Sequence, residues 1–548
     1  MIGLARLPRW SLSNVYPSLE SQQLVAAVSD LRSRIENLDA FLEQHNIARS
    51  PSNANASSDA SKVARAVNGY LNQVNAILRL HSTLTAYVDS FVTTDSYNTT
   101  AKRLESELEV LEVEIQKQEI RFKGWIGQVA DLLPHVLALG DSAKVHAFFL
   151  KESVDQSRYM MSETEESLAA ELNLSGGNAW RKLQGTVCSQ LTVNFKLDDT
   201  ARKMPVTELQ NLKYHHEEDV RRRAYEAELL AWESVREPIA AALNGVKGTV
   251  VTLNNRRGRV DALHTALDQA RIDRETLQTM LNAMQESFPA FRRYLRSKAK
   301  RFGHDALPWW DIFAPVGSSQ HRYTWGEAQK FIVNQFRSFS NRLGVLAQRA
   351  FDNNWIDAEP RNGKRGGAFC MHVPAVEESR ILCNFDGSLD QVKSVAHELG
   401  HAYHNECKTG KTILQTRTPM TLAETASTLC ETIITEAALA HASSPEEELA
   451  ILETSLIGST QIIVDITSRY LFEKEVFERR EKSELSADDF CDIMIRSQKA
   501  TYGGGLRRTL SEQIHVDMEG SLLHARPILL QFPIRIRTSL RDRIVLNI

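Results

Sequence analysis

Residues Gln391–Glu406 read QVKSVAHELGHAYHNE, and within them His397-Glu398-Leu399-Gly400-His401 gives the pattern H-E-x-x-H. Val392, Val395, Ala396, Leu399, Ala402 and Tyr403 recur at helical spacing with no proline among them, which predicts a helix. On a helix His397 and His401 stand one turn apart on one face. Two imidazoles so placed grip a single Zn²⁺, and Glu398 projects beside them as a candidate general base. Gly400 is the weak helix former, costing about 1 kcal/mol against alanine. A glycine inside a helix often lets something approach the backbone closely. H-E-x-x-H also arises by chance on amphipathic helices whose histidines only face solvent, so the pattern needs support from elsewhere in the chain.

That support lies downstream. A catalytic zinc takes three protein ligands and keeps one position open. Residues Pro419–Glu431, PMTLAETASTLCE, read as a following helix, and Glu424 is the candidate third ligand. Glu424 and Glu431 are seven residues apart and share a face. Glu431 is therefore the candidate for orienting a ligand imidazole through its other N–H, with Ser427 as a further supporting residue. Thr421 to Glu424 also matches a helix capping box, a reading that leaves Glu431 unexplained. His404, seven residues after His397, faces roughly the same way and is open as a replacement ligand. One Zn²⁺ on His397, His401 and Glu424 is the expected metal centre.

HELGHAYH and LAETASTLCE together resemble the zinc oligopeptidases of the thimet oligopeptidase and oligoendopeptidase F type, above all the latter. RWSLSNVYPSL from Arg9, LNGVKG at Leu243–Gly248, LPWWDIFAPVG at Leu307–Gly317, WIDAEPRNGKRGGAFC at Trp355–Cys370 and ESRILCNFDGS at Glu378–Ser388 agree, so the resemblance runs from Arg9 to Gly505. It implies a mainly α, two-lobed zincin-type helical metallopeptidase, with a small β-sheet beside the active-site helix and a deep substrate channel. It implies a zinc-dependent endopeptidase acting on short oligopeptides, and it makes His404 a supporting residue. Ala368–Val373 and Ser379–Phe385 read as two short strands just before the metal helix. An edge strand there would pair with a peptide main chain whatever its side chains, which names Gly366, Gly367, Ala368 and Phe369 as the candidate substrate strand. A plain structural hairpin is the alternative.

The chain departs from the family near its end. Relatives carry a His- and Tyr-rich segment whose hydroxyls and imidazole stabilise the tetrahedral intermediate. Here the resemblance fades after Gly505, and residues 506–548 are Arg-rich with an Ile-Arg-Ile-Arg alternation. DNA able to encode Pro527–Thr538 also gives, one nucleotide later, a Tyr- and Phe-rich stretch of the family's kind. The tail is therefore expected to be an out-of-frame reading. A catalytically impaired protein that still binds zinc or peptide is the alternative function, and a helical scaffold with an accidental H-E-x-x-H is the third.

With 548 residues, 42% hydrophobic and 24% charged, the composition is that of a globular chain. A formal net charge of −4 gives no reason to expect nucleic acid or an anionic membrane as partner. No apolar run of membrane-span length and no signal core before Pro8 are evident, so a cytoplasmic location is expected. The six cysteines form no C-x-x-C pair and read as reduced thiols. Cys407 and Cys430, near the metal pattern, are expected to be packing residues. Long stretches of helical periodicity, a polar insert at Ala48–Ser61 and a soft break near Asp198 divide the chain into an N-terminal helical domain (1–198), a catalytic domain (199–505) and the atypical tail (506–548). Pro289 is expected to start a helix, and the Arg- and Glu-rich run after Val206 to be a solvated surface. Oligomeric state is not legible.

Overall fold

The structure is a computed structural model and describes residues 7–49, 59–197, 200–317, 322–361 and 363–507. Helices dominate. Among the described residues the strands are β1 Thr192–Leu197, β2 Thr200–Pro205, β3 Ile356–Asp357, β4 Phe369–Val373 and β5 Glu378–Leu382. β1 and β2 form an antiparallel pair, while β3, β5 and β4 form a second sheet in that order. Within it β5 runs parallel to β3 and antiparallel to β4, with Phe369 opposite Leu382 and Val373 opposite Glu378. β4 is thus an edge strand.

The chain packs as two compact units. One comprises Met1–Ala170, His321–Thr418 and Ala423–Ala437, the other Glu171–Gln320, Pro419–Leu422 and Ala438–Ile548. The expected contiguous blocks, 1–198 and 199–505, divide the chain differently. Composition marks where local patterning changes, but it does not reveal that residues 321–437 share a unit with the N-terminal helices.

The first unit has two hydrophobic cores. One is built by helices Gln22–Gln44, Ala60–Thr94, Thr99–Gln128 and Ala147–Ser157. Asp59 caps Ala60–Thr94, and Val63, Val67, Tyr70, Leu71, Val74 and Ile77 line its buried stripe. The other core gathers helices Trp325–Phe339 and Asn341–Asp352, the three-stranded sheet and the motif helix Leu389–Cys407. In the second unit, helices Arg236–Arg256, Arg274–Arg301, Ile466–Arg480 and Ala487–Tyr502 supply most of the core residues.

Several local expectations are corrected. Pro289 does not open a helix but lies inside Arg274–Arg301. Proline in a helix interior costs about 3 kcal/mol. Buried Leu281, Met284, Phe288, Phe291 and Leu295 continue one stripe across it, and full burial of such side chains gives about 1.5–3 kcal/mol each. Helices Trp325–Phe339 and Asn341–Asp352 are separated at Ser340, whose extended backbone ends one and begins the next. The helical run Pro445–Arg480 does contain an apolar window long enough to cross a membrane by length and composition, though it was not apparent as an uninterrupted apolar stretch. Its Glu453 is buried and pairs with buried Lys298 at 2.5 Å. Cys430 is buried as expected, but Cys407 at the end of the motif helix is exposed. Of the tail, Leu506 and Arg507 are described, with Arg507 donating its N–H to the Leu307 carbonyl; the segment expected to be out of frame otherwise lies outside the described residues, as does most of the polar insert.

Candidate active site

The motif helix is fixed from both ends of its sequence pattern. Ser388 caps it, its hydroxyl accepting from the Gln391 N–H at 3.2 Å. Val392, Val395, Ala396, Leu399 and Ala402 are buried against the sheet and neighbouring helices. That stripe leaves His397 and His401 half-buried. Gly400 explains how the next helix comes so near: a Cβ there would lie 2.6 Å from both the Ala426 carbonyl oxygen and Ser427 Cα. The two backbones touch where the glycine has no side chain.

This approach brings Glu424 to the histidines. His397 Nε2 lies 3.1 Å from His401 Nε2, and Glu424 Oε2 lies 3.2 Å from the first and 3.3 Å from the second. A tetrahedral zinc with ligand bonds near 2.0–2.2 Å has ligand-to-ligand edges of about 3.3–3.5 Å. The triangle is one face of such a tetrahedron to within a few tenths of an ångström. The donor set, two imidazoles and a carboxylate, suits the same ion. The local electrostatics also favour a cation. Burial opposes the charged form of His397, yet Glu424, Glu431 and Glu398 raise its imidazole to about 10. Burial pulls the Glu424 carboxyl up, but His397, His401 and Ser427 hold it well below the usual range.

The supporting residues fall around this triangle. His397 Nδ1 meets Glu431 Oε1 at 2.5 Å, so the second acid grips the ring nitrogen that faces away from the triangle. Ser427, fully buried, donates its hydroxyl to Glu424 Oε2 at 2.7 Å. No capping box forms at Thr421: its hydroxyl donates to the Ala270 carbonyl, and Glu424 is turned to the histidines instead. His404 stands apart from the triangle, and burial lowers its pKa ahead of the charges of Lys408 and His401.

Glu398 is only 5% exposed, and its Oε2 has no hydrogen-bond partner. An orphaned buried carboxylate oxygen costs stability unless something polar is meant to occupy the space beside it. Burial pushes its carboxyl up to about 7, against the pull of His397 and His401.

The four residues expected to form the substrate strand sit at the entry to β4. Gly366 and Gly367 have open space where a side chain would be, and Gly367 adopts φ +78°. Ala368 packs on the second core of this unit, and Phe369 begins β4 with Trp10 6.4 Å away. Sequence reasoning passed over what holds this approach in place. Lys364 is buried, and its ammonium reaches Asp357 Oδ1 at 2.7 Å, the carbonyls of Asp357 and Glu359 at 3.0 Å and that of Cys383 at 2.6 Å. Asn384 donates to the Arg365 and Gly367 carbonyls, both at 3.1 Å. A lysine among glycines in a polar loop carries no mark of burial; only the fold brings its acceptors together.

Comparison with known proteins agrees with this picture of a helical zincin-type peptidase. Residues 211–519 match Peptidase family M3, and residues 135–192 match Oligopeptidase F. This chain belongs to peptidase family M3. The match continues past Gly505, where the resemblance read from the sequence fades, to residue 519. Group B oligopeptidase PepB of Streptococcus agalactiae is 24% identical over 383 residues, covering 68% of this chain and 63% of that protein. Chromosomal oligoendopeptidase F of Lactococcus lactis subsp. cremoris is 24% identical over 291 residues, covering 52% of this chain and 48% of that one. The chain thus spans between about half and two thirds of the length of these curated relatives. Among solved structures, oligoendopeptidase-F from Enterococcus faecium superposes with a TM-score of 0.67 at 16% identity, over 93% of this chain and 85% of that one. PZ peptidase A with an inhibitor gives 0.66 at 12% identity, over 92% and 84%. At such identities the likeness is one of fold.

Proposed function

We propose that this chain is a zinc-dependent endopeptidase that hydrolyses peptide bonds of short oligopeptides, with His397, His401 and Glu424 as the metal ligands and Glu398 as general base. The observation that carries the reading is the juxtaposition of a zinc-sized donor triangle with a buried, unpartnered Glu398 carboxylate on the same helix. His397, His401 and Glu424 would hold the zinc ion, which when bound would acidify water and polarise a carbonyl. Glu398 takes the proton from the attacking water and hands it to the leaving amine, and a carboxyl raised to about 7 is suited to both halves of that transfer near neutral pH. Glu431 holds the His397 ring, and Ser427 holds the Glu424 carboxylate, in the orientation the ligand set requires. The free edge of β4 aligns the peptide main chain, and the side-chain-free lane at Gly366 and Gly367 leaves room for it. A cytoplasmic site of action belongs to the same reading, supported by the free state of all six cysteines.

A second reading is favoured by the Arg- and Ile-rich tail, which lacks the hydroxyl-rich segment expected to stabilise the transition state. Losing an oxyanion donor typically costs about 10²–10³ in rate, so the chain would bind zinc and peptide yet turn over poorly. Cleavage of a short quenched fluorescent peptide by the purified zinc-loaded chain, with and without chelator, tests the proposal. Chelator-sensitive cleavage supports the peptidase; bound zinc with peptide binding and no cleavage replaces it with the impaired protein.

A further inference from the structure

The second compact unit contains another His–carboxylate cluster, which has no part in the chemistry above. His304 Nε2 lies 3.2 Å from Glu218 Oε1 and 3.3 Å from Asp311 Oδ2, and the three donor atoms all lie within 4.8 Å of one another. They come from three separate elements. Glu218 opens the helix Glu218–Glu233, His304 follows the helix Arg274–Arg301, and Asp311 closes the turn Trp309–Asp311.

Two observations separate this cluster from an ordinary charged patch. Asp311 is fully buried, and its Oδ2, aimed at His304, has no hydrogen-bond partner. The His304 Nε2 also has none, although two carboxylate oxygens lie within 3.3 Å of it. In an imidazolium–carboxylate pair the N–H would point at one oxygen; here the ring nitrogen is directed at neither. That is the arrangement of donors around a shared centre. The distances from His304 Nε2 also match those from Glu424 Oε2 to the two histidines, 3.2 and 3.3 Å.

The charge balance is compatible with a cation. Arg221 engages the other oxygen of Asp311, with Nε at 2.8 Å and Nη2 at 2.6 Å from Oδ1, while its Nη1 donates to the His215 and His216 carbonyls. It faces one of the two carboxylates, Asp311, and makes no contact with Glu218 among these bonds. Burial raises the Asp311 carboxyl despite Arg221, so a second positive partner would relieve a real cost. The Glu218 side chain is 45% exposed and provides the route from solvent.

We propose that Glu218, His304 and Asp311 form a second, non-catalytic site for a divalent first-row transition ion of the zinc type, which staples the start of one helix to the end of another and to the Trp309–Asp311 turn. One imidazole and two carboxylates suit such an ion better than a purely hard cation. No general base comparable to Glu398 stands beside the cluster among the described residues, so its role is stability.

The test uses the full-length chain carrying His401→Ala, which disables the first site, so that any tight zinc is held elsewhere. Metal-free protein is titrated with zinc, bound metal is counted by mass spectrometry, and the melting temperature is read with and without the ion. The expected result is one equivalent of zinc and a rise in Tm, both lost on adding His304→Ala. Glu218→Ala, at a half-exposed position, should abolish the same equivalent and guards against a misfolded His304 variant. In otherwise native protein, Glu218→Ala should lower the count from two to one. No zinc in the His401→Ala chain, or zinc retained after Glu218→Ala, overturns the proposal.

Discussion

The triangle of His397, His401 and Glu424 and the cluster of Glu218, His304 and Asp311 both bring donors close together, at 3.1–3.3 Å along all three edges of the first and at 3.2–3.3 Å from His304 to each carboxylate of the second. Their surroundings differ in kind. The first has a buried, unpartnered carboxylate one residue from a ligand and an edge strand in the same packed core. The second has a guanidinium fixed on one ligand. Similar donor clusters can therefore serve chemistry or cohesion, and what distinguishes them is the group left free beside the donors. In the first site the ligands are backed by Glu431 and Ser427 and the base is left bare; in the second, Arg221 is bound to the ligand Asp311.

The sharpest way to break this comparison is to remove one ligand. His401→Ala should abolish tight zinc binding at the first site and cleavage with it, while metal at the Glu218 cluster persists; loss of both metals together would mean that the two sites are not independent. Gly400→Ala comes next. Its methyl group would lie 2.6 Å from backbone atoms of Ala426 and Ser427, and overpacking of this kind costs about 1–3 kcal/mol. Because the displaced helix carries Glu424, the expected outcome is a lower Tm together with weaker zinc affinity, measured by competition with a chromophoric chelator. An unchanged affinity would uncouple the helix contact from the ligand geometry. Glu431→Gln removes the carboxylate charge behind His397 and should weaken zinc binding about 10–100-fold with little change in Tm. The smallest effect is expected at Gly366, which has an unstrained backbone and nothing near its missing side chain. Gly366→Ala should leave Tm and zinc content unchanged while raising KM more than it lowers kcat, because only a bound peptide would meet the added methyl. An unchanged KM would move the substrate lane elsewhere.

The first site was readable in the sequence because its parts obey helical spacing. His397 and His401 are four residues apart, Glu424 and Glu431 seven, and Gly400, a glycine inside a helix, marks the close approach. Two strands of the small sheet were readable for a similar reason, since Phe369–Val373 and Glu378–Leu382 are long enough to show a pattern. β3, with two residues, is not. The second cluster left no trace. Arg221 sits in a run with Arg222 and Arg223, all three looking like solvated exchange partners of nearby acids. Only the structure shows Arg221 to be 3% exposed while Arg222 is 39% exposed. Its partner Asp311 arrives through tertiary folding, as do His304 and the four acceptors around Lys364. Pro289 misled for the complementary reason: its local preference for a helix start is real, but a buried stripe on both sides of it decides the outcome.

The central claim is that Glu398 is the group that turns a zinc-sized triangle into a hydrolytic centre. Its most direct test is Glu398→Gln, with zinc content and cleavage of a short quenched peptide measured on the same preparation. The account predicts full zinc occupancy and a loss of turnover of about 10²–10⁴-fold, the usual range for removing a general acid–base. Turnover close to that of the native chain, with zinc still bound, would contradict it.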